Sequence, residues 1–214
     1  MPILFRHTAP LFAVWHITED AESLFATLYN KETYCPQLDA LRTDARRTEW
    51  LACRVLLQTF LEREVTVDYL PNGAPTLRGL PFSVSLSHTK GYAAALVTSH
   101  AHAGIDIEYR SDRVKKIRSR FMHDDEDTAI DPTHESDHLL IYWCAKEALF
   151  KLLGEEEVDF REHLRIFPFP FSKQGILSGQ ELKTLRKQTF RLAYRVEDSF
   201  VVVWSDENNV NPSK

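Results

Sequence analysis

Apolar and polar positions alternate with a period of two in several short stretches and repeat near 3.6 in several longer ones, which predicts mixed strand and helix. Leu11 to Ile17 reads as a strand, and Asp20 to Tyr29 as a short helix whose acidic start suits its positive end. Arg46 to Arg63 is predicted as a second helix, with Trp50, Leu51, Val55, Leu57 and Leu61 on a helical period. The run Pro71-Asn72-Gly73-Ala74-Pro75 is a turn-rich loop. Ser83 to Ser87 alternates as a half-buried strand, followed by a His88 to Gly91 turn and a strand Tyr92 to Val97, a hairpin-like unit.

Gly104 to Glu108 reads as a further strand, which leads into the basic stretch Arg110 to Arg120. Asp137 to Leu153 is the clearest helix, with Gly154 placed to cap it. Phe190 to Val196 and Phe200 to Trp204 pair as a hairpin across Glu197-Asp198-Ser199, and the polar tail from Asp206 is expected to fray. The order of elements recurs once on each side of residue 103. The expected fold class is therefore α+β, with an N-terminal half over 1–103 and a C-terminal half over 104–214.

Composition narrows the partners more than the fold. A chain of 214 residues with 43% hydrophobic content, four Trp and 13 Phe can fill a sizeable core. Its 26 basic and 31 acidic residues leave a net charge of −5, so the whole-molecule field does not attract nucleic acid or an anionic membrane. Any anion site must be local. Cys35, Cys53 and Cys144 lie too far apart for a CxxC motif, and reduced thiols fit a cytoplasmic location. The first residues lack the order of a signal peptide, and no segment reaches the roughly 20 apolar residues that cross a bilayer.

Three constellations carry candidate chemistry. Asp106 and Glu108 stand two apart on a strand, so both carboxylates project from one face, and oxygen ligands without nearby Cys or His favour Mg²⁺ over zinc. Trp143, Glu147 and Lys151 follow at i, i+4 and i+8 and form one stripe of a helix. Ser87-His88-Thr89-Lys90-Gly91 puts hydroxyls, an imidazole and a cation at a strand end, groups that can wrap a phosphate. Each has a plainer explanation alone: surface acids, an ordinary helix ion pair, a turn. A Ser-His-Asp hydrolase is disfavoured because no G-x-S-x-G elbow accompanies Ser87 and His88.

Together the three resemble one family. Ser87-His88, Gly104-Ile105-Asp106-Ile107-Glu108 and Trp143-x-x-Lys146-Glu147-Ala148-x-x-Lys151 look like the signature set of the surfactin-type 4′-phosphopantetheinyl transferases, over about residues 45 to 205. That resemblance implies two similar α/β halves forming a pseudo-dimeric monomer. It also implies transfer of the 4′-phosphopantetheine arm of coenzyme A to a serine of an acyl or peptidyl carrier protein, with release of 3′,5′-ADP. By the same resemblance Asp106, Glu108 and Glu147 would hold Mg²⁺, and Lys151 would contact the phosphate chain. Ser87 and His88 would bind the nucleotide end, the loop of Gly73 and Pro75 would pack on the adenine, and Arg47, among Arg46, Arg47 and Arg54, would meet the 3′-phosphate. Ala74 stands where many relatives have Lys or Arg.

Glu126 falls in the run His123-Asp124-Asp125-Glu126-Asp127, where some relatives place a base for the acceptor serine. The plain alternative is a helix start enriched in acids. Arg110, Arg113, Lys115, Lys116, Arg118 and Arg120 form a basic patch that could steer an acidic carrier. Two rivals remain: a non-catalytic carrier- or nucleotide-binding relative, and another Mg²⁺-dependent nucleotide enzyme. The absence of a P-loop or a Rossmann glycine motif removes the commonest forms of the second.

Overall fold

The computed structural model describes residues 3–8, 11–29 and 31–206; residues 207–214 of the tail expected to fray lie outside them. The chain divides into two compact units, Met1–Ala101 and His102–Lys214. Helix and antiparallel sheet are present in both.

In the first unit, β1 (Ile3–Thr8) and β2 (Leu11–His16) form a hairpin. Helix α1 (Ala21–Thr27) starts where Ser23 N donates to Asp20 Oδ1 at 2.8 Å. Helix α2 (Lys31–Asp39) leads to α3 (Asp44–Leu61), which is capped by the Thr43 side chain. Then come β3 (Val67–Tyr69), β4 (Pro75–Leu77), β5 (Ser83–Thr89) and β6 (Tyr92–Thr98). The sheet runs β1-β2-β6-β5-β4-β3, with every pair antiparallel. Leu51, Val55 and Leu56 of α3 are buried in one core with Trp15, Ala93, Ala95 and Val97. The small alanines of β6 let the helix approach the sheet closely.

The second unit contains β7 (Ile105–Tyr109), α4 (Arg113–Ile117), a 3-10 turn, and α5 (Asp124–Asp127). Helix α6 (Glu135–Leu153) is followed by β8 (Leu164–Ile166), β9 (Gln174–Glu181), β10 (Thr189–Val196) and β11 (Phe200–Ser205). Sheet order is β7-β11-β10-β9-β8, and α6 packs along it. Gly154 closes α6 at φ 66° and donates its N–H to Phe150 O, the left-handed cap read from the sequence.

Several expectations change. His88 is not in a turn: β5 continues through Thr89, and the turn is Lys90-Gly91 with Gly91 at φ 78°. The basic stretch is broken into α4 and the 3-10 turn Arg118–Arg120. Strands β1, β3, β4, β8 and β9 and helix α2 were not predicted. The shortest of these have three residues, too few for a period, and two glycines dilute the alternation of β9. Among the described residues no helix is long and apolar enough to cross a membrane.

Candidate functional site

Gly104 sets the register between β7 and α6. A Cβ there would stand 2.3 Å from Ala148 O and 2.8 Å from Leu152 Cγ, so only glycine permits this approach of strand to helix. Beyond it Asp106 and Glu108 both face α6, as the i, i+2 spacing requires. Lys151 Nζ donates to Asp106 Oδ1 at 2.9 Å and to Ile105 O at 2.8 Å. Trp143 Nε1 donates to Glu108 Oε1 at 3.3 Å. The strand therefore runs antiparallel to the helix, with Glu147 one turn from each contact.

Charge in this group is crowded. Burial first, and then the Asp106 and Glu108 carboxylates, push Glu147 up to about 7, while Lys151 pulls the other way. Buried beside the same acids, the Cys144 thiol is held well above its ordinary range. Among the described residues no three His, Cys, Asp or Glu side chains already converge as a ligand set. The donors nonetheless fit a hard divalent cation in kind, being carboxylates whose mutual repulsion a bound positive charge relieves. A cavity of about 260 Å³ adjoins Glu108 and Trp143, walled by Val114, Ile117 and Leu140 and edged by Arg113.

Glu126 and Lys146 require a correction. Both side chains are 0% exposed, and Lys146 Nζ stands 2.7 Å from Glu126 Oε2. Lys146 also donates to Phe121 O and Phe160 O, while Glu126 accepts from His123 N at 2.8 Å and Ile166 N at 2.7 Å. A carboxylate with no exposed surface, held by α6, β8 and the cap of its own helix, does not face an incoming hydroxyl, so the role of base is replaced by that of a buried anchor. The plain alternative, a helix start, is the observed one: His123 and Glu126 form the capping box of α5. Lys146 carried a signal in the sequence, since it shares the apolar helix face of Leu139, Tyr142 and Leu149, and a lysine there needs an acid.

In the first unit, His88 Nδ1 lies 3.2 Å from Glu49 Oε2 of α3. Arg46 approaches the same Glu49 oxygen at 3.9 Å, whereas Arg47 turns to Asp44 at 3.2 Å. Arg54 is buried among rings. Ser87 is buried on β5, and its carbonyl accepts from Cys53 Sγ at 3.7 Å. The loop between β3 and β4 is closed by Leu70 N to Ala74 O at 2.9 Å and Gly73 N to Leu70 O at 2.9 Å. Gly73 takes φ 80°, and Pro75 opens β4 opposite Tyr69.

The basic patch is partly neutralised. Arg110 pairs with Asp137, Lys115 with Glu135, and Arg118 with Asp127 and Glu135. Arg113, Lys116 and Arg120 are exposed.

Residues 102–205 match the family model described as ACPS, 4′-phosphopantetheinyl transferase superfamily. No curated protein matches the chain. The matched stretch is just under half of the chain and contains Asp106, Glu108, Glu147 and Lys151, but none of the candidates on α3, β5 or the β3–β4 loop.

Proposed function

We propose that this chain is a surfactin-type 4′-phosphopantetheinyl transferase. It moves the 4′-phosphopantetheine arm of coenzyme A onto a serine of an apo acyl or peptidyl carrier protein and releases 3′,5′-ADP. The observation that carries this is the meeting of Asp106, Glu108, Glu147 and Lys151 between β7 and α6, inside the stretch that matches the superfamily.

Asp106, Glu108 and Glu147 would hold Mg²⁺, which when bound supplies positive charge to the pyrophosphate. Lys151, anchored on Ile105 O and Asp106, offers an ammonium to the phosphate chain and stabilises charge gathering on the departing 3′,5′-ADP. Trp143 orients Glu108 through its indole N–H. At the β-phosphorus a bond to the serine oxygen forms, the bond to the ADP oxygen breaks, and the serine proton is released. Bound geometry, rather than an enzyme nucleophile, supplies the remaining acceleration.

Ser87, His88, Arg47 and the Gly73–Pro75 loop would hold the nucleotide end. Arg46 joins them as a candidate, because it shares the Glu49 carboxylate with His88. Exposed Arg113, Lys116 and Arg120 would meet the acidic carrier. A cytoplasmic pseudo-dimeric monomer belongs to the same proposal.

Incubation with coenzyme A, Mg²⁺ and a panel of apo carrier proteins tests it by intact mass. Gain of the phosphopantetheine arm by at least one carrier is the expected result. No mass shift on any carrier, with coenzyme A left unconsumed, would overturn the proposal.

A further inference from the structure

Arg54 of α3 is 2% exposed, yet the described residues offer it no carboxylate. Its guanidinium carbon lies 3.1 Å from the centroid of the Trp50 ring, with the Tyr34 and Tyr69 rings at 5.6 and 5.8 Å. Nη1 donates to Trp50 O at 2.9 Å, Nη2 donates to the Tyr69 hydroxyl at 2.7 Å, and Nε has no partner. Burying a cation without an acid is unfavourable. The three rings and two oxygens compensate it in part, and they fix the guanidinium in one orientation.

Among the described residues Tyr69 is the one side-chain acceptor of this cation, and it is 49% exposed. Because the hydroxyl accepts from Arg54, its own proton must point away from the cage, and the adjacent positive charge makes it a stronger donor. The sheet fixes where that donor stands. Strands β3 and β5 are both antiparallel to β4, so they run in the same direction. Tyr69 stands opposite Pro75, one row beyond the Thr76–Ser83 pair, so it is level with Val84; His88 lies four residues further along β5, in the direction in which the 70–74 loop leaves β3. Helix α3 supplies the support for both, Glu49 to His88 and Arg54 to Tyr69.

We propose that Tyr69 is a further contact for the nucleotide end of coenzyme A, donating its hydroxyl proton to a phosphate or adenine acceptor, and that Arg54 is the positioning residue that aims it. This rests on the function proposed above.

Tyr69→Phe keeps the ring in the cage and removes only the hydroxyl. Calorimetric titration of this variant with coenzyme A and with 3′,5′-ADP should show about tenfold weaker binding of both, the effect of one hydrogen bond to a charged or polar acceptor. Its melting temperature should stay close to the parent's. Arg54→Met should weaken coenzyme A binding to a similar degree, and in the Tyr69→Phe background it should add nothing, since it acts only through the hydroxyl. Parental affinity in Tyr69→Phe overturns the inference, whether or not Arg54→Met folds. So does a further loss on adding Arg54→Met to Tyr69→Phe. A parent protein that binds neither ligand overturns the transferase proposal itself, a result distinct from normal parental binding with an unaffected Tyr69→Phe.

Discussion

Lys151 Nζ and Asp106 Oδ1 stand 2.9 Å apart, linking the last turn of α6 to the start of the edge strand β7. The pair joins the two sequence signatures that lie furthest apart in chemistry, the paired strand acids and the helix stripe. Asp106→Ala or Glu147→Ala removes a carboxylate from the crowded group, so arm transfer should fall by orders of magnitude, as loss of charge stabilisation worth several kcal/mol requires. The fold should persist, because mutual repulsion among the acids is relieved. Parallel transfer assays and thermal denaturation on the same preparations check both halves.

Glu126 is expected to act on stability. Lys146→Met leaves a fully buried carboxylate uncompensated and should cost about 3–5 kcal/mol, while Glu126→Gln strands the ammonium and should cost a comparable amount. Joint replacement of both should recover part of the loss. Urea denaturation reads these differences directly. A Glu126→Gln protein with parental stability and a slowed transfer step would restore the catalytic role.

His138 gives stability a dependence on pH. Its ring is fully buried on α6, accepts from Asp131 N at 3.1 Å and packs edge-on to Phe169 at 4.8 Å. Burial holds its pKa below the ordinary 6.5, outweighing the opposing pull of Asp131. The unfolded chain therefore takes up a proton first as pH drops. The contribution of His138 should be greatest above about pH 6.5 and decline below it, by at most about 1.4 kcal/mol per pH unit, while the raised carboxyl of Glu147 acts in the opposite sense. Denaturation midpoints measured between about pH 7.5 and about pH 5.5 should therefore lose the His138 part of their slope in His138→Phe, read as the difference between parent and variant at each pH.

Arg113, Lys115 and Lys116 are all exposed on α4, and of these Lys115 is engaged with Glu135. Arg113→Glu with Lys116→Glu should slow carrier modification at low salt and leave coenzyme A affinity nearly unchanged, because rim charges act on encounter and are screened. Raising ionic strength should narrow the gap to the parent. Stopped-time mass analysis across a salt series measures it.

The long elements were legible because their periods are strong: α3, α6, β10 and β11 lie within two residues of their predicted bounds. Gly104 was legible as the start of a strand, but not the carbonyl it approaches, that of Ala148. Strands such as β4 and β8 were hidden because three residues carry no period, and sheet neighbours alone define them. At the candidate site, spacing placed Asp106 and Glu108 on one face of their strand. It could not reveal that Lys146 and Glu126 satisfy each other, or that Tyr69 accepts from Arg54, since those contacts join different elements of the chain. The helix stripe named Lys151 and Glu147 but was silent on Lys146, one residue away and turned about 100° toward the apolar face.

The buried ion pair has a consequence for how the second unit comes apart. Lys146 belongs to α6, Glu126 to α5, and their remaining hydrogen bonds reach Phe121, His123, Phe160 and Ile166. Neither charge is tolerated in the interior without the other. Parting α5 from α6 strands a charge on each side, so α5 and the middle of α6 are expected to leave the native state together, with the segments of Phe160 and Ile166 coupled to them through hydrogen bonds to the pair. Intermediates with a single open flap are thereby suppressed, and the unit that presents the carboxylates melts as a block.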